Sequence, residues 1–190
     1  MAHSRVLALS LALFLLAAAS PLRGWWETSL SGHMLGQIPV LIVAGALGAR
    51  GLFSTPPPWL MAIDRQGVVG LLVTLFALVF WMLPRSLDAA LAEPPMEVAK
   101  FVSVPVLIGM PLALSWPRSP VLVKGFVLAQ LLTMMLVVGW LYTTAPVRLC
   151  NYYLSSEQIF AGHLLIGLAV VGGLIWLARA LFGSNGTADR

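Results

Sequence analysis

Six long apolar segments constrain the fold of this chain more than any other feature of its sequence. They cover residues 6–22, 31–50, 67–84, 96–116, 120–144 and 156–182, and charges, prolines and glycines separate them. A helix needs about 20 apolar residues to cross the hydrocarbon core of a bilayer. Charged residues make up 9% of the chain, whereas a soluble domain carries roughly 25%. We therefore predict an all-α, polytopic transmembrane helical bundle of about six spans, forming a single domain over residues 1–190.

The first apolar segment admits two interpretations. A basic start, an apolar run and the small residues at 17–20 also fit a cleavable signal peptide. Residues 1–20 are therefore either a retained helix or a cleaved signal. Cleavage would remove one span without moving the others.

The distribution of lysine and arginine predicts the orientation in the membrane. With the N-terminus in the cytoplasm and six spans, the inner side carries seven of the 11 Lys and Arg residues and the outer side four. Both termini are then cytoplasmic, in a bacterial inner membrane with membrane lipid around the spans. The same cations are too few and too dispersed for a nucleic-acid surface, so no nucleic-acid partner is expected.

Nitrogen- and sulfur-bearing side chains collect at the predicted outer face. Imidazole, thioether and thiolate together are ligands that suit Cu(I). The predicted metal ligands are His33, Met34, Met82, Met96 and His163. Cys150 lies in the last outer loop and is the only cysteine, so no intrachain disulfide can form.

Each of these residues also has a purely structural interpretation. Methionines fill gaps between helices, and a neutral histidine can hydrogen-bond a neighbouring helix. Ser155 and Gln158 have the spacing of a helix capping box. The chain contains no nucleophile–base set, phosphate loop or haem-attachment motif, so enzymatic activity is not indicated.

Three stretches resemble the CtaG-type family of cytochrome c oxidase assembly factors. "SPLRGWWETSLSGHMLGQIPVLIVAG" is similar to a signature in which Ser-Pro-Leu closes one helix and His-Met-x-x-His opens the next. "LVTLFALVFWMLPRSLDAAL" resembles the following helix, and "YYLSSEQIFAGHLLIGLAVVGGLIWLARAL" resembles the last one. The resemblance covers most of the chain in order, although the family usually has an additional N-terminal helix. It implies that the helix before Ser-Pro-Leu is retained, which favours six spans.

The resemblance implies a role in copper delivery to a haem–copper oxidase at the outer membrane face. The implied partners are a haem–copper oxidase subunit or a copper chaperone. His33 and Met34 match the opening of the signature, whereas Gln37 stands in place of its second histidine. The remaining correspondences are as follows: Met82 stands at a family histidine, Met96 and Lys100 stand where a histidine pair is expected, and Glu157 and Gln158 match an acidic-Gln pair.

Three functions follow from these observations. The first is an oxidase assembly factor that handles copper, with Cu(I) bound by the predicted ligands. The second is a structural or accessory subunit of a membrane respiratory complex that binds no metal. The third is a haem-associated membrane protein with His33 and His163 as axial ligands. A charged Lys100 cannot serve as an ordinary metal ligand, so the resemblance leaves open whether the site still binds metal.

Overall fold

The protein is described here by a computed structural model that covers residues 2–53, 55–145 and 149–182. Within these ranges the regular structure is entirely helical, which confirms the predicted all-α class. The C-terminal residues 183–190, including the terminus predicted to be cytoplasmic, lie outside them. The helices are α1 (Ala2–Ala18), α2 (Leu22–Glu27), α3 (Gly32–Leu52), α4 (Pro58–Ile63), α5 (Val68–Met82), α6 (Pro84–Ala92), α7 (Pro94–Arg118), α8 (Val121–Thr144) and α9 (Ser155–Phe182).

Four of the described helices are long and apolar enough to cross a membrane, namely α3, α7, α8 and α9. Helices α5 and α6 pass the same test together, but they meet at an angle of 71°. The bend falls at Leu83, which is extended because a residue before a proline disfavours helical backbone. If this bent pair counts as one span, the described residues hold five. The first predicted segment, residues 6–22, corresponds to α1, an apolar helix of 17 residues that is shorter than the four long helices counted above.

Helices α1, α3 and α7 form the tightly packed side of the bundle. Ser10 Oγ donates a hydrogen bond to the Ala44 carbonyl oxygen at 2.8 Å, which ties α1 to α3. A Cβ on Gly45 would lie 2.6 Å from Pro105 Cα, so α3 and α7 approach closely only because residue 45 is glycine. Both helices contain a π-helical turn, at Gly32–Gln37 and at Val104–Gly109.

Helices α8 and α9 form a peripheral pair. They cross where Gly139 and Gly162 meet, and a Cβ on either glycine would lie 2.8 Å from the carbonyl oxygen of the other. Only 11% of the apolar window of each helix is buried, compared with 44% for α3 and 39% for α7. Between this pair and helices α3, α5 and α7 runs an open apolar groove of about 700 Å³.

Candidate functional site

The π-helical turn that opens α3 places three side chains inside the protein. His33, Met34 and Gln37 all lie within Gly32–Gln37, and each is almost completely buried. Such π turns are frequent at functional sites because the wider turn re-aims side chains. Here His33 and Gln37 contact Lys100 of α7, whereas Met34 contacts Tyr142 of α8.

Lys100 is the centre of the buried site. Its side chain is 0% exposed, although lysine is almost never fully buried unless it is paired. Its Nζ lies 2.7 Å from Glu27 Oε1, 3.0 Å from Gln37 Oε1 and 3.1 Å from His33 Nε2. An ammonium group has three donors and no acceptor, so these three neighbours satisfy all of its protons.

The Lys100 ammonium also fixes the tautomer of His33. Because the ammonium can only donate, His33 Nε2 must accept, and the ring proton must therefore sit on Nδ1. Nδ1 lies 3.1 Å from the Tyr153 hydroxyl oxygen and donates to it. Tyr153 in turn donates to the Glu27 carbonyl oxygen at 3.2 Å. Both nitrogens of this imidazole are thus engaged by neighbouring side chains.

Further contacts balance the charge of the site. Arg23 pairs with Glu97 and lies 3.9 Å from Glu27, so two cations face two carboxylates. Gln37 Nε2 donates to the Ala17 carbonyl oxygen at 2.9 Å, which joins α1 to the same cluster. We call this set the Lys100 network; its members are Arg23, Glu27, His33, Gln37, Glu97, Lys100 and Tyr153.

A second group, the sulfur cluster, lies on the other side of the π turn. It consists of Met34, Tyr142 and Cys150. The Tyr142 hydroxyl oxygen lies 3.6 Å from Met34 Sδ and 3.6 Å from Cys150 Sγ. A thioether only accepts, so Tyr142 donates to Met34 and the Cys150 thiol donates to Tyr142.

Burial raises the pKa of Cys150 to about 11, and the nearby Asp88 carboxylate adds to this shift. The thiol is therefore protonated at neutral pH. Asp88 is itself only 8% exposed. Its Oδ2 accepts a hydrogen bond from the Asn151 backbone amide at 2.6 Å. Its Oδ1 has no hydrogen-bond partner among the described residues. Gln158 ties this loop to α8, because it accepts from the Leu149 amide and donates to the Tyr142 carbonyl oxygen.

The structure places the five predicted metal ligands in different surroundings. His33 and Met34 are buried neighbours whose side chains contact different groups. Met82 is half-buried and lines the apolar groove, and Met96 is half-buried against the core. His163 is exposed on α9 and lies outside the Lys100 network.

The side-chain atoms around His33 that could coordinate a metal ion are already occupied in this arrangement. The oxygen and nitrogen atoms of Glu27, His33 and Gln37 already surround the Lys100 ammonium. The sequence placed Lys100 with Met96 where a histidine pair is expected and excluded it as an ordinary ligand while it is charged. It gave Glu27 and Tyr153 no role at the site. The signal that identifies Lys100 is a charge within a long apolar segment, which is costly unless it is paired.

Another polar cluster closes the opposite end of the bundle. Asp64 is 2% exposed, and its Oδ2 accepts from Ser115 Oγ at 2.6 Å and lies 3.3 Å from Arg118 Nη2. Its Oδ1 accepts from the Val69 amide at the start of α5. These contacts join the α4–α5 connection to the end of α7, which is the role expected of a structural ion pair.

The fold and these clusters define an all-helical protein with several helices of membrane-spanning length and a buried ion-pair network at one end. The chain matches no protein-family model, no curated protein and no solved structure in comparisons with each.

Proposed function

We propose that this chain is a membrane-embedded assembly or accessory protein of a haem–copper oxidase, and that it holds no metal in its Lys100 network. It would work in a bacterial inner membrane with six spans, including a retained α1, and with both termini in the cytoplasm. The link to an oxidase is supported by the resemblance of three sequence stretches to the CtaG-type family. The metal-free character is supported by the geometry of Lys100.

One observation carries the metal-free part of the proposal. The Lys100 ammonium lies within 3.1 Å of the three oxygen and nitrogen atoms that would have to coordinate a metal. A metal cation entering this site would meet a fixed positive charge. Two unit charges 4 Å apart repel by about 4 kcal/mol at an effective dielectric constant of 20. The ammonium thus performs the structural task of a bound cation, because it holds α2, α3 and α7 together.

Copper titration tests this part of the proposal. The purified protein is titrated with Cu(I) under reducing conditions against a competing chelator, and the bound copper per chain is measured. We expect the wild type to bind far less than one equivalent at the network. We expect Lys100→Met, confirmed to be folded, to gain binding that disappears in Lys100→Met/His33→Asn. Near-stoichiometric copper in the wild type that is lost in His33→Asn would contradict the proposal.

A second candidate function is copper handling by the sulfur cluster. The observation that favours it is the placement of Met34 Sδ and Cys150 Sγ on either side of one hydroxyl group, each 3.6 Å from it. Thioether and thiol groups are soft donors that suit Cu(I). Copper binding would release the Cys150 proton, which costs free energy because burial raises the pKa of this thiol to about 11.

Complementation separates the two candidates. In a strain that lacks the chain, the amount and copper content of the assembled oxidase are measured after return of the wild type or of Met34→Leu/Cys150→Ser. An accessory protein predicts that both versions restore both quantities. Copper handling by the sulfur cluster predicts that the double variant restores oxidase protein but not its copper. An unchanged oxidase in the strain without the chain would refute both candidates.

A further inference from the structure

The apolar groove between α3, α5, α7 and α8 runs lengthwise through the bundle. At one end it is lined by Met34 and Met82, close to the Lys100 network, and at the other end by Arg50 and Trp116. Along α3 it extends from residue 34 to residue 50, which is about 24 Å at 1.5 Å per residue. The volume of about 700 Å³ lies within the range of roughly 300–1,000 Å³ typical of ligand sites.

The lining of the groove favours hydrocarbon. Apart from Arg50 it consists almost entirely of aliphatic, methionine and tryptophan side chains. Thr74 is the polar exception, and its hydroxyl group already donates to the Gly70 carbonyl oxygen at 3.0 Å. No polar group along the middle of the groove therefore calls for a hydrogen-bonding ligand.

The shape of the groove suits extended hydrocarbon. It follows α3 for about 24 Å, and its lining is apolar along nearly all of that length. An extended acyl chain can occupy such a space without leaving a buried polar group unpaired.

Positive charge gathers at one end of the groove. Arg50 lines it and is exposed, and Lys124 Nζ lies 5.9 Å from the ring centroid of Trp116, which also lines it. Neither cation has a carboxylate partner in the part of the chain that the structure describes. Two unpaired cations beside an apolar channel are complementary to an amphiphile with a phosphate headgroup.

We propose that the groove binds one anionic phospholipid from the leaflet on the Arg50 side, with its phosphate between Arg50 and Lys124 and one of its two acyl chains along α3. Each basic residue near a membrane surface contributes about 1 kcal/mol to the binding of anionic lipid, which corresponds to roughly five-fold in affinity. The site would hold the peripheral α8–α9 pair against the rest of the bundle through lipid.

Native mass spectrometry of the full chain tests this proposal, with phosphatidylglycerol and phosphatidylethanolamine supplied at equal concentration. We expect the wild type to retain one phosphatidylglycerol in preference, and Arg50→Gln/Lys124→Gln to lose that preference. Arg179→Gln is the matched control, because Arg179 is an exposed cation on α9 that does not line the groove; its preference should remain. Ala46→Phe, which fills the groove, should reduce retention of both lipids.

Three results would overturn the proposal. Equal retention of the two lipids by the wild type would show that the cations do not bind a headgroup. Unchanged retention in a folded Ala46→Phe variant would place the lipid elsewhere. A dimer whose formation depends on Ala46 would mean that a second copy of the chain covers the groove, which also contradicts the proposal.

Discussion

Replacing Lys100 with methionine removes the charge at the centre of the network while keeping an unbranched side chain of similar length. Three acceptors then lose the donor that Lys100 supplies: Glu27 Oε1, His33 Nε2 and Gln37 Oε1. Glu27 Oε1 still accepts from Gln37 Nε2 at 3.2 Å, but that neutral donor does not balance its charge. The Glu27 carboxylate, with a side chain only 14% exposed, would keep Arg23 at 3.9 Å as its remaining cation. The variant therefore leaves a poorly compensated charge inside the protein.

The size of the effect follows from this geometry. Removing one partner of a buried ion pair costs about 3–5 kcal/mol. The lower end, about 3 kcal/mol, applies here because Glu27 is partly exposed and keeps Arg23 nearby. For a chain of this size each kcal/mol lowers the melting temperature by about 2–4 °C, so we expect a decrease of about 6–12 °C.

The assay is thermal unfolding in detergent, followed for a double-mutant cycle. Lys100→Met/Glu27→Gln removes both charges, so it should be less destabilised than the sum of the single variants, with a coupling free energy of about 2 kcal/mol. Lys124→Met is the control: the Lys124 ammonium lies 5.9 Å from the Trp116 ring centroid, and among the described residues it has no carboxylate partner. Its loss should cost less than about 1 kcal/mol. If Lys100→Met unfolds like the control, or if the cycle is additive, the ion-pair argument is wrong.

Three further predictions concern other parts of the fold. Gly45→Ala should destabilise the protein strongly because the added Cβ would overlap the backbone of α7. Gly167→Ala has nothing within 4 Å of its Cβ, so it should be neutral or stabilise the protein by up to about 1 kcal/mol. The melting temperatures of the two variants test this difference. Alkylation of Cys150 in the folded protein should be slow at pH 7.5, because only the thiolate reacts and burial raises the pKa of this thiol to about 11. The rate should rise steadily with pH and still be rising at the pH where an ordinary thiol has levelled off, and rapid labelling at neutral pH would contradict this. Arg118→Gln should lower the free energy of unfolding by about 1–3 kcal/mol, because it leaves the buried Asp64 carboxylate without its cation. An unchanged melting temperature would show that this ion pair is dispensable.

The sequence predicted the helical class and most helix positions because the signal for both is the length of an apolar run. The predicted segment 67–84 ends almost where α5 ends, at Met82, and the break at Leu83 follows from the proline after it. The bent continuation into α6 was not predicted, because Pro84 also opens a new helix and the sequence does not set the angle between the two.

The site was predicted only in part. His33 and Met34 at the start of α3 pointed to the end of the bundle that holds the Lys100 network, and both residues are buried there. His163, which was named as a ligand with them, is exposed on α9 and is not part of the Lys100 network. A helix that is apolar on every side carries no amphipathic stripe, so its sequence does not indicate which residue faces its neighbours.

By itself, the sequence determined the number of long apolar segments, the helical class and the presence of a lysine inside one of them. Only the tertiary structure decided that this lysine, Lys100, is surrounded by Glu27, His33 and Gln37. The physical reason is that apolar length and proline position act locally along the chain. The pairing of Lys100 on α7 with Glu27 on α2 joins residues 73 positions apart, so it depends on how separate helices pack against each other.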